Sequence, residues 1–215
     1  MAFVTYLTGL ADAGDVGEIF VDPPDYAILN PVAPDRVNMS IVVPLAHGAP
    51  FSERLDAFFV ARVKQLSHLA RRVAGATIAT RVRALGPLAY RVAPPAVGGV
   101  LLVGDAAGFY DPFTGEGVTL ALRSAELAAR VAHRVLVRGG TDFREYDRLR
   151  HDATRDKFRL NRRLQRVVAW PALADVVARR LARRPDLADQ LVGIAGDFVP
   201  ARSAMGPRFL LELMR

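Results

Sequence analysis

The chain has 215 residues, of which 51% are hydrophobic and 24% are charged, a composition typical of a folded globular protein. It contains no cysteine, which excludes disulfides, thiolate nucleophiles, zinc knuckles and cysteine-held iron–sulfur clusters. The formal net charge is +7, and residues 144–184 alone hold 13 Lys or Arg against 5 Asp or Glu, so the rest of the chain is close to neutral.

No segment of the sequence has the pattern of a signal peptide or of a membrane span. The N-terminus lacks a basic stretch ahead of an apolar one. The longest uncharged apolar run, residues 92–104, is too short to cross a bilayer and contains two prolines. We therefore expect a cytoplasmic protein.

Four short segments rich in Val, Ile, Tyr and Phe predict strands in the first third of the chain. These are residues 3–7, 18–21, 26–29 and 36–43. Clusters of Pro and Asp at residues 22–25 and 31–35 separate them and predict turns. The short, regular spacing indicates an antiparallel meander rather than βαβ units.

The next segment, residues 52–66, has helical spacing, with Ser52 as the candidate N-cap. Its apolar residues fall on one side: Leu55, Phe58, Phe59, Val63 and Leu66. Strand character returns at residues 77–82 and 88–92. Residues 100–103 form a continuous apolar run, as expected for a strand buried on both faces of a sheet.

The loop that follows this run, residues 104–117, is the most informative part of the sequence, and residues 118–137 after it predict a helix. Asp105 directly follows the strand among small neighbours, where a carboxylate can accept hydrogen bonds from sugar-like hydroxyls. We place Gly115 and Gly117 in the first helical turn, with Thr114 as N-cap, where free amides and the helix dipole favour negative charge. On these residues alone, an ordinary glycine-rich turn with an acidic cap stays an open alternative.

Other kinds of site have little support. The loop is not a dinucleotide fingerprint, because Leu120 stands where the third glycine belongs, and no Gly-Lys-Ser/Thr follows for a phosphate loop. The four histidines have no metal-ligand spacing, so we predict no metal site. No serine-hydrolase elbow is present. Asp22, Asp25 and Asp35 lie beside prolines in turns, and we interpret them as solvated turn caps.

The remainder of the chain is predicted to be helical. Apolar residues recur every three or four positions up to Pro171: Phe143, Tyr146, Leu149, Ala153, Leu160, Leu164 and Val167. Shorter helices follow, broken at Pro185 and Gly196. We interpret the arginines here as a solvated outer face and predict no nucleic-acid partner, because no aromatic residues interleave with them. A patch for nucleic acid or anionic lipid is the alternative.

The loop resembles a motif of a known superfamily. Gly104-Asp105-Ala106-Ala107, followed by Pro112 and Gly115-Glu116-Gly117 and then a small-residue helix, is similar to the second FAD motif of the aromatic-hydroxylase and geranylgeranyl-reductase flavoproteins. The resemblance implies FAD as cofactor, with the ribityl contact at Asp105. It implies flavin-ring contacts at Pro112, Gly115, Glu116 and Gly117, with Gly104, Ala106 and Ala107 completing the loop. No catalytic residue is identified.

Two positions depart from the hydroxylase pattern. Hydroxylases usually carry histidine where this chain has Gly108 and asparagine where it has Thr119. The resemblance therefore implies a reductase acting on a hydrophobic, isoprenoid-like substrate with NAD(P)H or another donor, in loose contact with a membrane surface. A hydroxylase or monooxygenase stays open. From a different class, a non-catalytic basic helical binding module built on a truncated flavoprotein also stays open.

The predicted fold class is α+β, a partial flavoprotein fold with three regions. Residues 1–95 form the antiparallel substrate-side sheet with one covering helix, residues 96–138 the flavin-contacting strand–loop–helix, and residues 139–215 a helical region. The early Gly-x-Gly-x-x-Gly that binds the ADP half of FAD is absent. We expect the chain to match the C-terminal part of such an enzyme, to be incompetent alone, and to expose a hydrophobic edge at residues 100–103.

Overall fold

The structure, a computed structural model, describes residues 1–51, 53–92, 94, 96–97, 99–109 and 111–214. It contains two compact units. The first comprises Met1–Leu88 with Val168–Ala174, and the second comprises Ala89–Val167 with Asp175–Arg215.

The first unit is built on an antiparallel sheet. Its strands are β1 (Ala2–Thr8), β2 (Glu18–Asp22), β3 (Asp25–Ala33), β4 (Arg36–Val42), β5 (Thr77–Ile78) and β6 (Arg83–Leu85). The order across the sheet is β2-β3-β4-β1-β5, and β6 also pairs with β1. The predicted meander is confirmed for β2 to β4, and β1 extends it on the far side of β4.

One face of this sheet is covered by short helices, α1 (Leu45–Gly48), α2 (Leu55–Gln65) and α3 (Ser67–Arg72). Because side chains alternate along a strand, Phe3 and Leu7 share this face and are fully buried with Phe59 of α2. The five apolar residues predicted for the inner side of α2 are all buried or half-buried, which confirms that prediction. The predicted N-cap Ser52 lies outside the described residues.

The opposite face of the sheet is more open. One row across it joins Val4, Ser40, Ile28 and Ile19. All four are partly or fully exposed. The sheet therefore has one apolar core face and one accessible face of mixed polarity.

Two local predictions in this unit are wrong. The predicted turn at residues 31–35 is only Pro34 and Asp35, because β3 continues through a register shift to Ala33. The predicted strand at 77–82 ends at Ile78, because hydrogen bonds made by side chains replace the regular backbone pairing. The Thr5 hydroxyl donates to the Thr80 carbonyl at 2.7 Å, and the Tyr6 amide donates to the Thr80 hydroxyl at 3.1 Å.

Asp25 is a third correction, because it is fully buried and not a solvated turn cap. One of its carboxylate oxygens pairs with the guanidinium of Arg62 on α2, and the other has no hydrogen-bond partner among the described residues. Burial raises the pKa of Asp25, while the hydrogen bond and charge of Arg62 act in the opposite direction. The pair fastens the β2–β3 turn to the covering helix.

The second unit combines short strands with long helices. The strands are β7 (Tyr90–Arg91), β8 (Ala96–Val97), β9 (Val100–Leu101) and β10 (Gly108–Phe109). β10 pairs with β7 and β8 with β9, both antiparallel. The helices are α4 (Gly117–Val137), α5 (Arg144–Val168), α6 (Pro171–Arg183), α7 (Pro185–Ala195) and α8 (Pro207–Met214). The predicted helical C-terminal region is confirmed, and so is the mixed α+β class.

The apolar run at residues 100–103 is not a strand buried on both faces. Only Val100 and Leu101 pair, in a hairpin with β8, and Val100 is 57% exposed. Val103 is exposed as well. None of the described segments pairs with this run in parallel, so the parallel sheet to which the expected hydrophobic edge would belong is not found among them. The predicted strand at residues 88–92 is likewise reduced to Tyr90 and Arg91.

Helix α5 joins two apolar cores of the second unit. Its N-terminal half buries Tyr146 against Val131 of α4, and its C-terminal half buries Leu160 against Leu187 of α7. Between them, Ala153 is exposed, contrary to prediction, and three polar residues are buried instead: Thr154, Lys157 and Asn161. Most of the arginines on α5 are exposed, as predicted. None of the described helices is long and apolar enough to cross a bilayer.

We predict that Arg62→Ala lowers the free energy of unfolding by about 3 kcal/mol at neutral pH, because it leaves a buried carboxylate without its counter-charge. Burial raises the pKa of Asp25 and Arg62 opposes that rise, so the variant has a still higher pKa at this carboxyl. The loss is complete above the pKa in the variant and decreases as the pH falls from there toward the pKa in the original protein. Urea denaturation followed by circular dichroism at several pH values measures this.

The matched control is Arg71→Ala, an exposed arginine of α3, which should change stability by no more than about 0.5 kcal/mol. A loss for Arg62→Ala that does not vary with pH would contradict the role assigned to Asp25.

Candidate functional site

The candidate site is the loop between β9 and α4, and its first turn is tied to α4. The amide of Gly104 donates to the Ser124 hydroxyl at 2.8 Å, and that hydroxyl donates to the Ala121 carbonyl at 3.0 Å. Gly104 has a φ of 56°, and an added Cβ would lie 3.0 Å from the Cβ of Ala121. Glycine is therefore required here by both backbone conformation and close helix packing.

Tyrosine hydroxyls hold the same turn from other elements. Tyr146 of α5 donates to the Leu102 carbonyl at 2.6 Å, and Tyr90 of β7 donates to the Asp105 carbonyl at 2.7 Å. Burial raises the pKa of Tyr146, so its hydroxyl stays protonated as a donor. The backbone on both sides of Gly104 is thus fixed by specific hydrogen bonds.

Asp105 is exposed, and its carboxylate has no hydrogen bond or ion pair among the described residues. It lies beside the start of α4, because its Oδ1 is 4.0 Å from the position that a Cβ on Gly117 would take. Its backbone is held while its side chain is available. This arrangement suits a carboxylate that accepts hydrogen bonds from a ligand.

The second half of the loop leads into α4 without a side-chain cap. A 3₁₀ turn at Pro112–Thr114 ends at Gly115, which has a φ of 70° and open space where a Cβ would stand. The helix N-cap is Glu116 and not Thr114 as predicted, and the side chain of Glu116 caps no amide. The Thr114 hydroxyl is instead buried without a hydrogen-bond partner among the described residues. The first amides of α4 therefore have no side-chain cap.

Glu116 turns inward to a buried ion pair. Its Oε1 is 3.7 Å from Nζ of Lys157 on α5, and that Nζ is 2.9 Å from Oδ1 of Asp197. The 2.9 Å contact is not aligned as a hydrogen bond, so the attraction is ionic. Burial raises the pKa of Glu116, while the charge of Lys157 and a hydrogen bond from Asn161 lower it.

The α5 residues near the loop were not found from the sequence. Arg150, Thr154, Lys157 and Asn161 lie on one stripe of the helix, and three of them border the loop's inner pocket. Their spacing of four, three and four positions is helical, and it was available in the sequence as a polar stripe. Apolar periodicity alone does not reveal it.

The predicted cofactor residues occupy different parts of the loop. Gly104, Asp105, Glu116 and Gly117 line an inner pocket of about 20 Å³, a volume that suits a water molecule and is too small for a flavin ring. Ala107 is buried, whereas Asp105, Ala106 and Gly115 are exposed and Pro112 is half-exposed. A flavin could reach the loop only from that exposed side. On that side the residues fit a flavin. Asp105 has a free carboxylate, Gly115 leaves open space, and the first turn of α4 has no side-chain cap.

Comparison with solved structures identifies the fold. The chain is similar to the flavin-dependent brominase Bmp2 (20% identity, 91% of this chain, 49% of that chain, TM-score 0.73). It is also similar to the flavin-dependent halogenase CmlS (22% identity, 74% of this chain, 30% of that chain, TM-score 0.63). A third similar structure is that of pqsL, a probable FAD-dependent monooxygenase from Pseudomonas aeruginosa (17% identity, 81% of this chain, 51% of that chain, TM-score 0.56). The chain has the fold of part of these flavoproteins.

The chain spans about half or less of the length of these solved structures. No protein-family model matches the sequence, and no curated protein matches it. The identities are low, so the likeness concerns the fold.

We predict that Lys157→Met destabilises the second unit by about 3 kcal/mol, because Glu116 is left buried without its counter-charge. Adding Glu116→Gln to the same chain should restore most of that loss, since a neutral pair carries no such desolvation cost. Denaturation of the two single variants and the double variant forms a thermodynamic cycle.

Arg159→Met, an exposed arginine on the same helix, is the control and should be nearly neutral. Equal instability of Lys157→Met with and without Glu116→Gln would show that Glu116 and Lys157 are not coupled.

Proposed function

We propose that this chain is the flavin-contacting part of an FAD-dependent oxidoreductase of the halogenase or monooxygenase type. The observation that carries the proposal is the exposed carboxylate of Asp105. It has no partner among the described residues and lies beside the uncapped start of α4 on a backbone that hydrogen bonds hold in place. The fold of FAD-dependent halogenases supports it.

The residues of the loop suggest how FAD would be held. Asp105 would accept hydrogen bonds from ribityl hydroxyls. Gly115 leaves room for the ring, and the first amides of α4 would face the pyrimidine side. FAD, when bound, supplies redox chemistry, and its reduced form carries negative charge that the helix N-terminus favours. Glu116 is buried with Lys157, so its part in the site is to position the loop while its backbone remains near the ligand.

The fold comparison favours the monooxygenase alternative over the reductase, because the similar structures include flavin-dependent halogenases and a probable FAD-dependent monooxygenase. The glycine at position 108 does not oppose this. Gly108 has a φ of 112° and a ψ of 141°, a region that residues with a Cβ rarely adopt. The backbone conformation therefore explains why glycine, and not histidine, occupies position 108, whichever reaction the protein catalyses.

The accessible sheet face of the first unit is the proposed substrate side. Its row of Val4, Ser40, Ile28 and Ile19 presents three apolar side chains and one hydroxyl group. This combination suits an organic substrate that is largely hydrophobic. NAD(P)H is the proposed reductant, from the resemblance of the loop motif alone.

We predict that Asp105→Ala weakens riboflavin binding about tenfold or more, the loss expected for a hydrogen bond to a charged group. Riboflavin carries the ribityl chain and ring that this loop would contact, so FAD should behave similarly. Lumichrome, which lacks the ribityl chain, should bind both forms equally. Quenching of flavin fluorescence by the purified chain measures all three ligands.

Asp142→Ala removes an exposed carboxylate elsewhere in the same unit and should leave all three affinities unchanged. If the unaltered chain quenches no flavin, or if riboflavin binds Asp105→Ala as tightly as it binds the original, the proposed function is wrong.

We further predict that Gly108→His destabilises the chain by about 1–3 kcal/mol, the cost of a side chain in this backbone region. Gly206→His is the control, because Gly206 has no positive φ and open space at its Cβ position. Thermal or urea denaturation compares the two. Equal stability would mean that the backbone does not require glycine at 108, and the reductase alternative would regain its support.

A further inference from the structure

A second cavity of the second unit is larger than the pocket behind the loop and has different chemistry. Its volume is about 680 Å³, within the usual range for small-molecule sites. We call it the arginine cleft. The apolar and aromatic residues that line it are Tyr90, Val92, Pro94 and Phe109, together with Phe158 of α5. The basic residues all come from α5 and are Arg148, Arg150, Arg155, Arg159 and Arg162.

The positive charge of the cleft is poorly neutralised. Arg148, Arg155 and Arg159 form ion pairs with acids on their own helix at 3.5–3.8 Å, and all three arginines are about half or more exposed. Pairs of this kind contribute little. Asp147 is the one acid among the described residues that line the cleft, against five arginines. The residues that line the cleft therefore carry more positive than negative charge, which favours anions.

Arg150 is the distinctive residue of the cleft. It borders both the cleft and the inner pocket of the loop. Its Nε is buried, and its side chain has no hydrogen bond or ion pair among the described residues. Burial lowers the pKa of Arg150, and the nearby Tyr146 and Asp147 act in the opposite direction. A half-buried guanidinium without a partner is costly, and an oxyanion would offset that cost through two parallel hydrogen bonds.

We propose that the arginine cleft binds a small organic anion, a flat apolar body carrying a carboxylate or phosphate. The oxyanion lies against Arg150, and the outer arginines add long-range attraction. The body packs on Phe109, Phe158 and Tyr90, where aromatic side chains offer planar contact. The cleft includes Ala107 and Gly108 of the loop, so the test uses ligands without a flavin ring to distinguish this site from the proposed flavin contact.

The concave shape favours a small ligand over a nucleic acid. A polyanion that contacts several phosphates needs its charges spread along an accessible surface. Here Arg150 is half-buried, and aromatic residues line the same cavity. These features suit a ligand that enters the cleft.

The test compares charged and neutral ligands of one shape. 2-Naphthoate and 2-naphthamide are titrated into the purified chain by calorimetry, and AMP and adenosine form the phosphate arm. At least one anion should bind saturably, about tenfold or more tighter than its neutral counterpart. Binding of naphthoate alone assigns a carboxylate ligand, and binding of AMP alone assigns a phosphate ligand. Both results support the proposal.

Variants assign the site. Arg150→Gln should weaken the anion about tenfold or more and leave the neutral ligand unchanged. Arg166→Gln removes the same charge from an exposed position on α5 outside the cleft and should change affinity less than about twofold. Arg162→Gln, at the exposed rim, should give an intermediate loss even if Arg150→Gln folds poorly.

The proposal is overturned if neither anion binds saturably, or if anion and neutral ligand bind equally. It is also overturned if Arg162→Gln and Arg166→Gln have the same effect. Because flavin is absent from every titration, this result is separate from that of the riboflavin experiment.

Discussion

The loop of the candidate site depends on the buried contact between Glu116 and Lys157. The two glycines around Glu116 have no side chains to pack, so apolar contacts cannot hold this stretch of backbone. An ion pair with little access to water does so, and it ties the loop to α5. Such a pair adds little to stability, but removing one partner is costly, so the loop is confined to one arrangement. At the other end, Ser124 and two tyrosines fix the backbone around Gly104. The exposed middle of the loop is thus preorganised.

Much of the fold could be predicted because its determinants are local. Alternating apolar residues and Pro-Asp turns identify β1 to β4, and helical spacing identifies α2, α4 and α5. The loop was recognisable because small residues and one aspartate follow an apolar run directly. Its backbone requirements, such as the close approach of Gly104 to Ala121, agree with that interpretation.

The failures share a physical cause, since each depends on a partner far away in the chain. Asp25 looks like Asp22 and Asp35 in sequence, and only Arg62, 37 residues later, explains why it is buried. The run at 100–103 has the composition of a central strand, but pairing depends on neighbours that no single segment reveals. On α5, the expectation of an apolar inner face hid Thr154, Lys157 and Asn161, which are buried because they face a polar loop.

The backbone at Gly108 also limits how this protein can diverge. A side chain that transfers protons could be acquired at this position only at a cost in stability, because residues with a Cβ rarely adopt these backbone torsion angles. Another element could supply such a group without that cost. The polar side chains of α5 are the nearest candidates, because they already border the loop. A single dihedral angle therefore directs where new chemistry can evolve.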